Sequence, residues 1–152
     1  MFNGRMHLDE RRSDPSGRIR VLVVDDEPAV LETVGAILEE DFHVQTCPDP
    51  VTALSALESE DFDVLCTDQQ MPGMTGLQLI EHAAALPNAP IAILMTGRAR
   101  AYYAAIAESS ATPLSMLIKP CDPVRLLDSV NHAATFVRMR RALRTMGSGT
   151  DA

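Results

Sequence analysis

The 152-residue chain has no apolar run near the ~18–20 residues of a bilayer span, so a membrane-crossing helix is excluded. Its opening stretch, MFNGRMHLDERRSDPSGR, lacks the apolar segment of a secretion signal, and the chain is expected in the cytoplasm. Cysteine is scarce. Cys47, Cys66 and Cys121 are odd in number and without CxxC spacing, which argues against a disulfide framework and against a cysteine zinc site. Lysine is scarcer still: of 13 basic residues only Lys119 is not arginine. Basic residues are also missing from the middle of the chain. Residues 21–122 set 16 Asp and Glu against Arg98, Arg100 and Lys119, a net charge of −13. Such a body argues against direct DNA binding and calls for a cation.

What is present is the composition of a globular protein, 46% hydrophobic and 22% charged, of a length that fits one domain. Residues 1–18 read as a flexible, polar N-terminal arm, with Ser13 to Gly17 rich in turn formers. The β-branched run Ile19 to Val24 suits a strand buried on both faces of a parallel sheet. Pro28 then opens a helix with Val30, Leu31, Val34, Ile37 and Leu38 on one face. The alternation repeats. Strands are expected over His43 to Cys47, Asp63 to Thr67, Ile91 to Met95 and Leu114 to Ile118. Helices are expected over Val51 to Ser59, Leu77 to Leu86 and Tyr102 to Glu108. A last helix starts at Asp122-Pro123, with Val124, Leu127, Val130, Ala134 and Val137 as its apolar stripe. The pattern is (βα)5, which implies an α/β fold built as a three-layer sandwich around a parallel sheet.

Ligands of such sheets bind at the carboxyl ends of the strands. Asp25, Asp26 and Glu27 follow the first strand, Asp68 the third, Thr96 and Gly97 the fourth, and Lys119 and Pro120 the fifth. Carboxylates ~4–5 Å apart repel by roughly 3–4 kcal/mol per pair at an effective dielectric near 20, so a proton or a cation must enter. All-oxygen ligands favour Mg²⁺ or Mn²⁺ over zinc. The Lys119 ammonium and the Thr96 hydroxyl suit phosphoryl oxygens. No strand end carries a Ser, Cys or His with a partner base, which leaves one of the aspartates as the candidate nucleophile and an acyl phosphate as its product.

Four segments in one order, VLVVDDEP at 21–28, VLCTDQQMPGMTG at 64–76, ILMTG at 93–97 and LIKP at 117–120, make residues 19–137 resemble the receiver domains of two-component response regulators. The resemblance implies a flavodoxin-like sheet of order 2-1-3-4-5. It implies Asp68 as phosphoacceptor, with Mg²⁺ held by Asp26 and Asp68, by Asp25 mainly through water, and by the backbone carbonyl of Gln70. Lys119 and Thr96 hold the phosphoryl group, and Pro120 matches a cis-proline turn. The implied donor is a histidine kinase or a histidine phosphotransfer protein. The implied role is a signalling phosphoacceptor rather than an enzyme, read out by a downstream protein partner through the fourth helix, fifth strand and fifth helix.

This chain departs from the family pattern in places. Met116 stands where the family places Tyr or Phe, and Thr112-Pro113 replaces Gly-Ala before the fifth strand. Gln70 and Arg98 occupy two positions that tune hydrolysis, and neither is an acid, which leads us to expect slow self-dephosphorylation. Residues 138–152 form a basic helical extension with Arg138, Arg140, Arg141 and Arg144, then a short tail; the extension is a solvated helix end or the seat of a partner or homodimer mate. A single-domain regulator is expected. The alternatives are a receiver segment of a longer regulator with a cyclic-di-GMP or kinase output, and a degenerate receiver that only binds. An aspartate-nucleophile phosphatase is disfavoured, because Asp25-Asp26-Glu27 lacks the required second Asp two residues on.

Overall fold

The computed structural model describes residues 16–108 and 112–148; the expected N-terminal arm lies outside the described residues as far as residue 15, and so do tail residues 149–152. Five strands alternate with five helices: β1 (Arg20–Val24), α1 (Pro28–Leu38), β2 (His43–Cys47), α2 (Pro50–Ser59), β3 (Val64–Asp68), α3 (Gly76–Ala84), β4 (Ile91–Thr96), α4 (Ala99–Glu108), β5 (Ser115–Ile118) and α5 (Pro123–Ser148). All pairings are parallel, and the sheet order is β2-β1-β3-β4-β5. The expected (βα)5 sandwich and strand order are therefore the observed ones.

The central strands are buried on both faces, which is why Val21, Leu22, Val23 and Val24 run without a polar break. One core layer joins Val21, Val23, Val64, Cys66, Ile93 and Met95 to Val34 and Leu38 of α1 and Leu126, Val130 and Val137 of α5. The other joins Leu22, Val24, Leu65 and Leu94 to α2 and α3. Local signals fix the helix starts. Asp49 accepts the Thr52 N–H at 2.7 Å ahead of α2, Thr75 and Gln78 form a capping box on α3, and Asp122 accepts the Val124 N–H at 2.8 Å ahead of α5. Each cap contributes about 1 kcal/mol.

Several expectations shift: α3 ends at Ala84 rather than Leu86, and β3 and β5 start one residue later than read. β3 and β4 each run one residue further than read, because Asp68 pairs with Met95 and Thr96 with Ile118. The start of α4 is Ala99 rather than Tyr102. In α5 the inward stripe is Leu126, Val130, Ala133, Ala134 and Val137, whereas Val124 is 65% exposed. Two residues turn a helix by about 200°, so Leu126 and Val124 cannot share a face.

At the amino ends of the strands, buried Asp63 accepts the Arg20 N–H at 2.8 Å and the Arg141 guanidinium at 3.0 Å, which fastens the far half of α5 to the sheet. Arg18 closes α1 by donating to the carbonyls of Glu39, Glu40 and Phe42.

Candidate functional site

Parallel strands bring their carboxyl ends to one edge, and the expected site residues meet there. Asp25 follows β1 and is fully buried. Its Oδ1 accepts the Glu27 N–H at 2.9 Å, and its Oδ2 accepts the Lys119 ammonium at 2.9 Å. Asp68 ends β3 and is 4% exposed, while Asp26 faces solvent. One carboxylate oxygen from each of Asp25, Asp26 and Asp68 lies within 4.8 Å of the other two. Lys119 also stands 3.6 Å from Asp68 Oδ2 and 3.5 Å from Glu27 Oε1. Thr96 ends β4 beside Asp68's strand; its buried hydroxyl accepts the Arg98 N–H at 3.0 Å, and its carbonyl accepts the Lys119 N–H at 2.9 Å.

The electrostatics follow from this crowding. Burial, and then the charge of Asp25, push the Asp68 carboxyl up to about 6 from 3.8; Lys119 and the Gln70 N–H pull it down, and Asp26 pushes it up again. Burial alone would lower the Lys119 ammonium, but its hydrogen bond to Asp25 and the charges of Asp25, Asp68 and Glu27 outweigh that and hold it above its ordinary value. One ammonium thus serves three acids, Asp25, Glu27 and Asp68, with Asp26 beside them, and the pocket keeps an excess of negative charge. An all-oxygen donor set in that state fits a hard divalent cation such as Mg²⁺. The arrangement can hold such an ion beside a nucleophilic carboxylate with a cation ready on its other side.

Comparison with known proteins agrees. A family model described as response regulator receiver domain matches residues 21–131. The chain belongs to this family. The receiver is similar to the hydrogenase transcriptional regulatory protein HoxA of Bradyrhizobium diazoefficiens, 27% identical over 127 residues, covering 84% of this chain and 26% of that protein. It is also similar to protein-glutamate methylesterase/protein-glutamine glutaminase 1 of Pseudomonas savastanoi pv. phaseolicola, 29% identical over 129 residues, covering 82% of this chain and 36% of that one. Among solved structures, a CheY-like response regulator receiver domain protein from Methanospirillum hungatei superposes with a TM-score of 0.74 at 27% identity, over 81% of this chain and 98% of that one. The chain spans about a quarter to a third of the length of these two curated relatives.

Two residues of the receiver site escaped the sequence reading. Gln69 is buried although polar: its Oε1 accepts the Leu77 N–H at 3.0 Å, its carbonyl accepts the Gly76 N–H at 3.0 Å, and its own N–H donates to Met95 at 2.9 Å. It therefore ties Asp68 to the start of α3. Gly76 is required by proximity, since a Cβ there would stand 2.3 Å from the Asp68 carbonyl oxygen. The intervening turn passes through Gly73 at φ +87°, a left-handed conformation that favours glycine, and buries Met71. The Lys119-Pro120 bond is cis. Met116 is half-buried against the core layer of α2 and α3. The cysteines are quiet. Burial pushes the Cys66 thiol up to about 12 and raises those of Cys47 and Cys121. No described helix is long and apolar enough to cross a membrane.

Proposed function

We propose that this receiver takes a phosphoryl group onto Asp68 from a phosphohistidine, carried by a histidine kinase or a histidine phosphotransfer protein in the cytoplasm. A carboxylate oxygen of Asp68 forms the new P–O bond as the P–N bond breaks, and the electron pair leaves on the imidazole nitrogen. Lys119, already 3.6 Å from Asp68 Oδ2, offers its ammonium to a phosphoryl oxygen. The Thr96 hydroxyl accepts from Arg98 N–H and so keeps its own proton for a second phosphoryl oxygen. In the metal-free pocket Asp68 titrates at about 6, so its carboxylate dominates above that pH, and a divalent cation held beside it would extend that range downward.

Asp26 and Asp68 directly, Asp25 mainly through water, and the Gln70 carbonyl would hold Mg²⁺, or Mn²⁺, whose bound charge stabilises the charge spread over the transferring group. The observation that carries this reading is the convergence of three carboxylates within 4.8 Å beside the chain's one lysine. The domain extends over residues 19–137, its product is a signalling state rather than a released compound, and α4, β5 and α5 present that state to a downstream protein. The greater length of the curated relatives favours a second arrangement, an output domain on the same polypeptide.

The test is transfer from a phosphorylated histidine kinase, or from phosphoramidate, read as phosphoprotein by mass. Wild type gains one phosphoryl group in Mg²⁺ and none in EDTA, and Asp68→Asn gains none. Equal labelling of Asp68→Asn, or no labelling of wild type by any donor, refutes the assignment.

A further inference from the structure

At the amino edge of the sheet, away from the acid pocket, the end of α3, the starts of β4 and β5 and the middle of α5 border a cavity of about 460 Å³. Small side chains make the room for it: Ala83 and Ala84 end α3, Ala89 lies in the following turn, and Ala92 is the second residue of β4. Two large apolar side chains border the same space, Leu114 at 36% and Phe136 at 40% exposure, and the Phe136 ring is packed 5.2 Å from that of His132. The volume is that of a small-molecule site, ~300–1,000 Å³, and the wall is mostly apolar, as such sites are.

One end of the cavity is charged. Arg140 lines it and also lines an adjoining pocket with Asp63, Arg141 and Arg144. Arg141 is committed to the Asp63 carboxylate at 3.0 Å and to the Gly17 carbonyl at 3.3 Å. Arg140 donates to the Ala89 carbonyl at 3.2 Å, and Arg144 to the Asn88 side-chain oxygen at 3.4 Å. Both contacts draw guanidinium groups to the α3–β4 turn, at the rim of the cavity. A guanidinium has five donors in a fork that matches a carboxylate, so it can hold an oxygen of the turn and an anion together. Three arginines against Asp63 give the adjoining pocket a net charge of +2.

We propose that this cavity binds a free medium-chain fatty acid, its chain against Ala83, Ala92, Leu114 and Phe136 and its carboxylate on Arg140 and Arg144. The apolar wall accounts for the chain and the paired guanidinium groups for the head. A singly charged head fits better than a dianionic phosphate, because the buried Asp63 carboxylate lines the same arginine pocket. The site is distinct from the phosphoacceptor: Ala92 and Thr96 lie four residues apart on β4, about 13 Å. Its occupation therefore needs neither Mg²⁺ nor phosphorylation.

The probe is octanoate, titrated into the isotope-labelled full chain and followed in amide correlation spectra. The expected result is a saturable shift of amides in 83–92, 114 and 136–144, with Kd on the order of 1 mM. Each CH₂ added from hexanoate to octanoate tightens binding about fourfold. Arg140→Gln/Arg144→Gln weakens octanoate about tenfold and leaves octanol unchanged. Ala84→Leu, at an exposed position, fills the cavity and abolishes binding. Asp68→Asn binds as wild type does, so the outcome is independent of the phosphoacceptor assignment. No saturable shift up to about 10 mM overturns the proposal. So does an affinity indifferent to chain length, or a double arginine variant that binds octanoate as tightly as wild type.

Discussion

The carboxyl of Asp68 destabilises the metal-free protein, and Asp68→Asn should reveal by how much. Burial and the charge of Asp25 hold it at about 6, against 3.8 ordinarily. Between about pH 4 and pH 6 the folded chain therefore binds more protons than the unfolded one, so stability falls as pH rises through that window and stays low above it. A difference of about two pH units at ~1.4 kcal/mol each comes to ~3 kcal/mol. The pull of Lys119 is already contained in that value. Asparagine keeps the shape and sheds the charge, so in EDTA at pH 7.5 the variant should be more stable by about 2–3 kcal/mol, with Tm higher by roughly 5–10 °C. The gain should vanish below about pH 4, where wild type is protonated in both states. Urea unfolding followed by circular dichroism at the two pH values gives the comparison. Millimolar Mg²⁺ should narrow the gap by stabilising wild type and not the variant. A wild type as stable as Asp68→Asn in EDTA at pH 7.5 would refute the electrostatic account of the pocket.

Other perturbations separate structural from chemical roles. Lys119→Met strips fully buried Asp25 of its 2.9 Å partner; we expect a loss of about 3 kcal/mol in urea unfolding together with loss of phosphotransfer, and a change below about 1 kcal/mol would count against the pair. Gly76→Ala sets a Cβ against the Asp68 carbonyl, so it should cost about 2–4 kcal/mol and slow phosphotransfer. Gly73→Ala meets no atom within 4 Å, and only its φ of +87° opposes it, so it should cost about 1 kcal/mol with transfer kept. Arg98→Ala should shorten the half-life of phospho-Asp68 several-fold by opening the group to water; an unchanged half-life removes Arg98 from that role.

The fold and the charged centre were legible because strand-end chemistry needs no tertiary information. Once the apolar runs of β1, β3, β4 and β5 are recognised, Asp25, Asp26, Asp68, Thr96 and Lys119 follow from position alone. Their supports were not legible, because each depends on what lies across space. Gln69 reads as a loop residue until α3 is seen to begin over it, and Gly76 reads as a helix start until the Asp68 carbonyl proves to be its neighbour. The inward face of α5 was partly hidden for a related reason. Val124 looks like a core residue by its spacing from Leu127, which does pack against the core, and only the burial of Leu126 shows that the core lies on the side away from Val124.

Lys119 joins the acid pocket to the rest of the sheet edge. Its side chain holds Asp25 at 2.9 Å and Asp68 at 3.6 Å, while its backbone N–H holds the Thr96 carbonyl. On the proposed reading, a phosphoryl group on Asp68 adds about two negative charges on the longer of these contacts and reverses the competition for the ammonium. The same group draws on the Thr96 hydroxyl, which is tied to the Arg98 N–H at the head of α4. Both strand ends bounding the 97–118 segment are thus pulled together. Met116 has no ring to swing, so the displacement of that segment, rather than one side chain's rotation, has to carry the signal to whatever binds α4, β5 and α5.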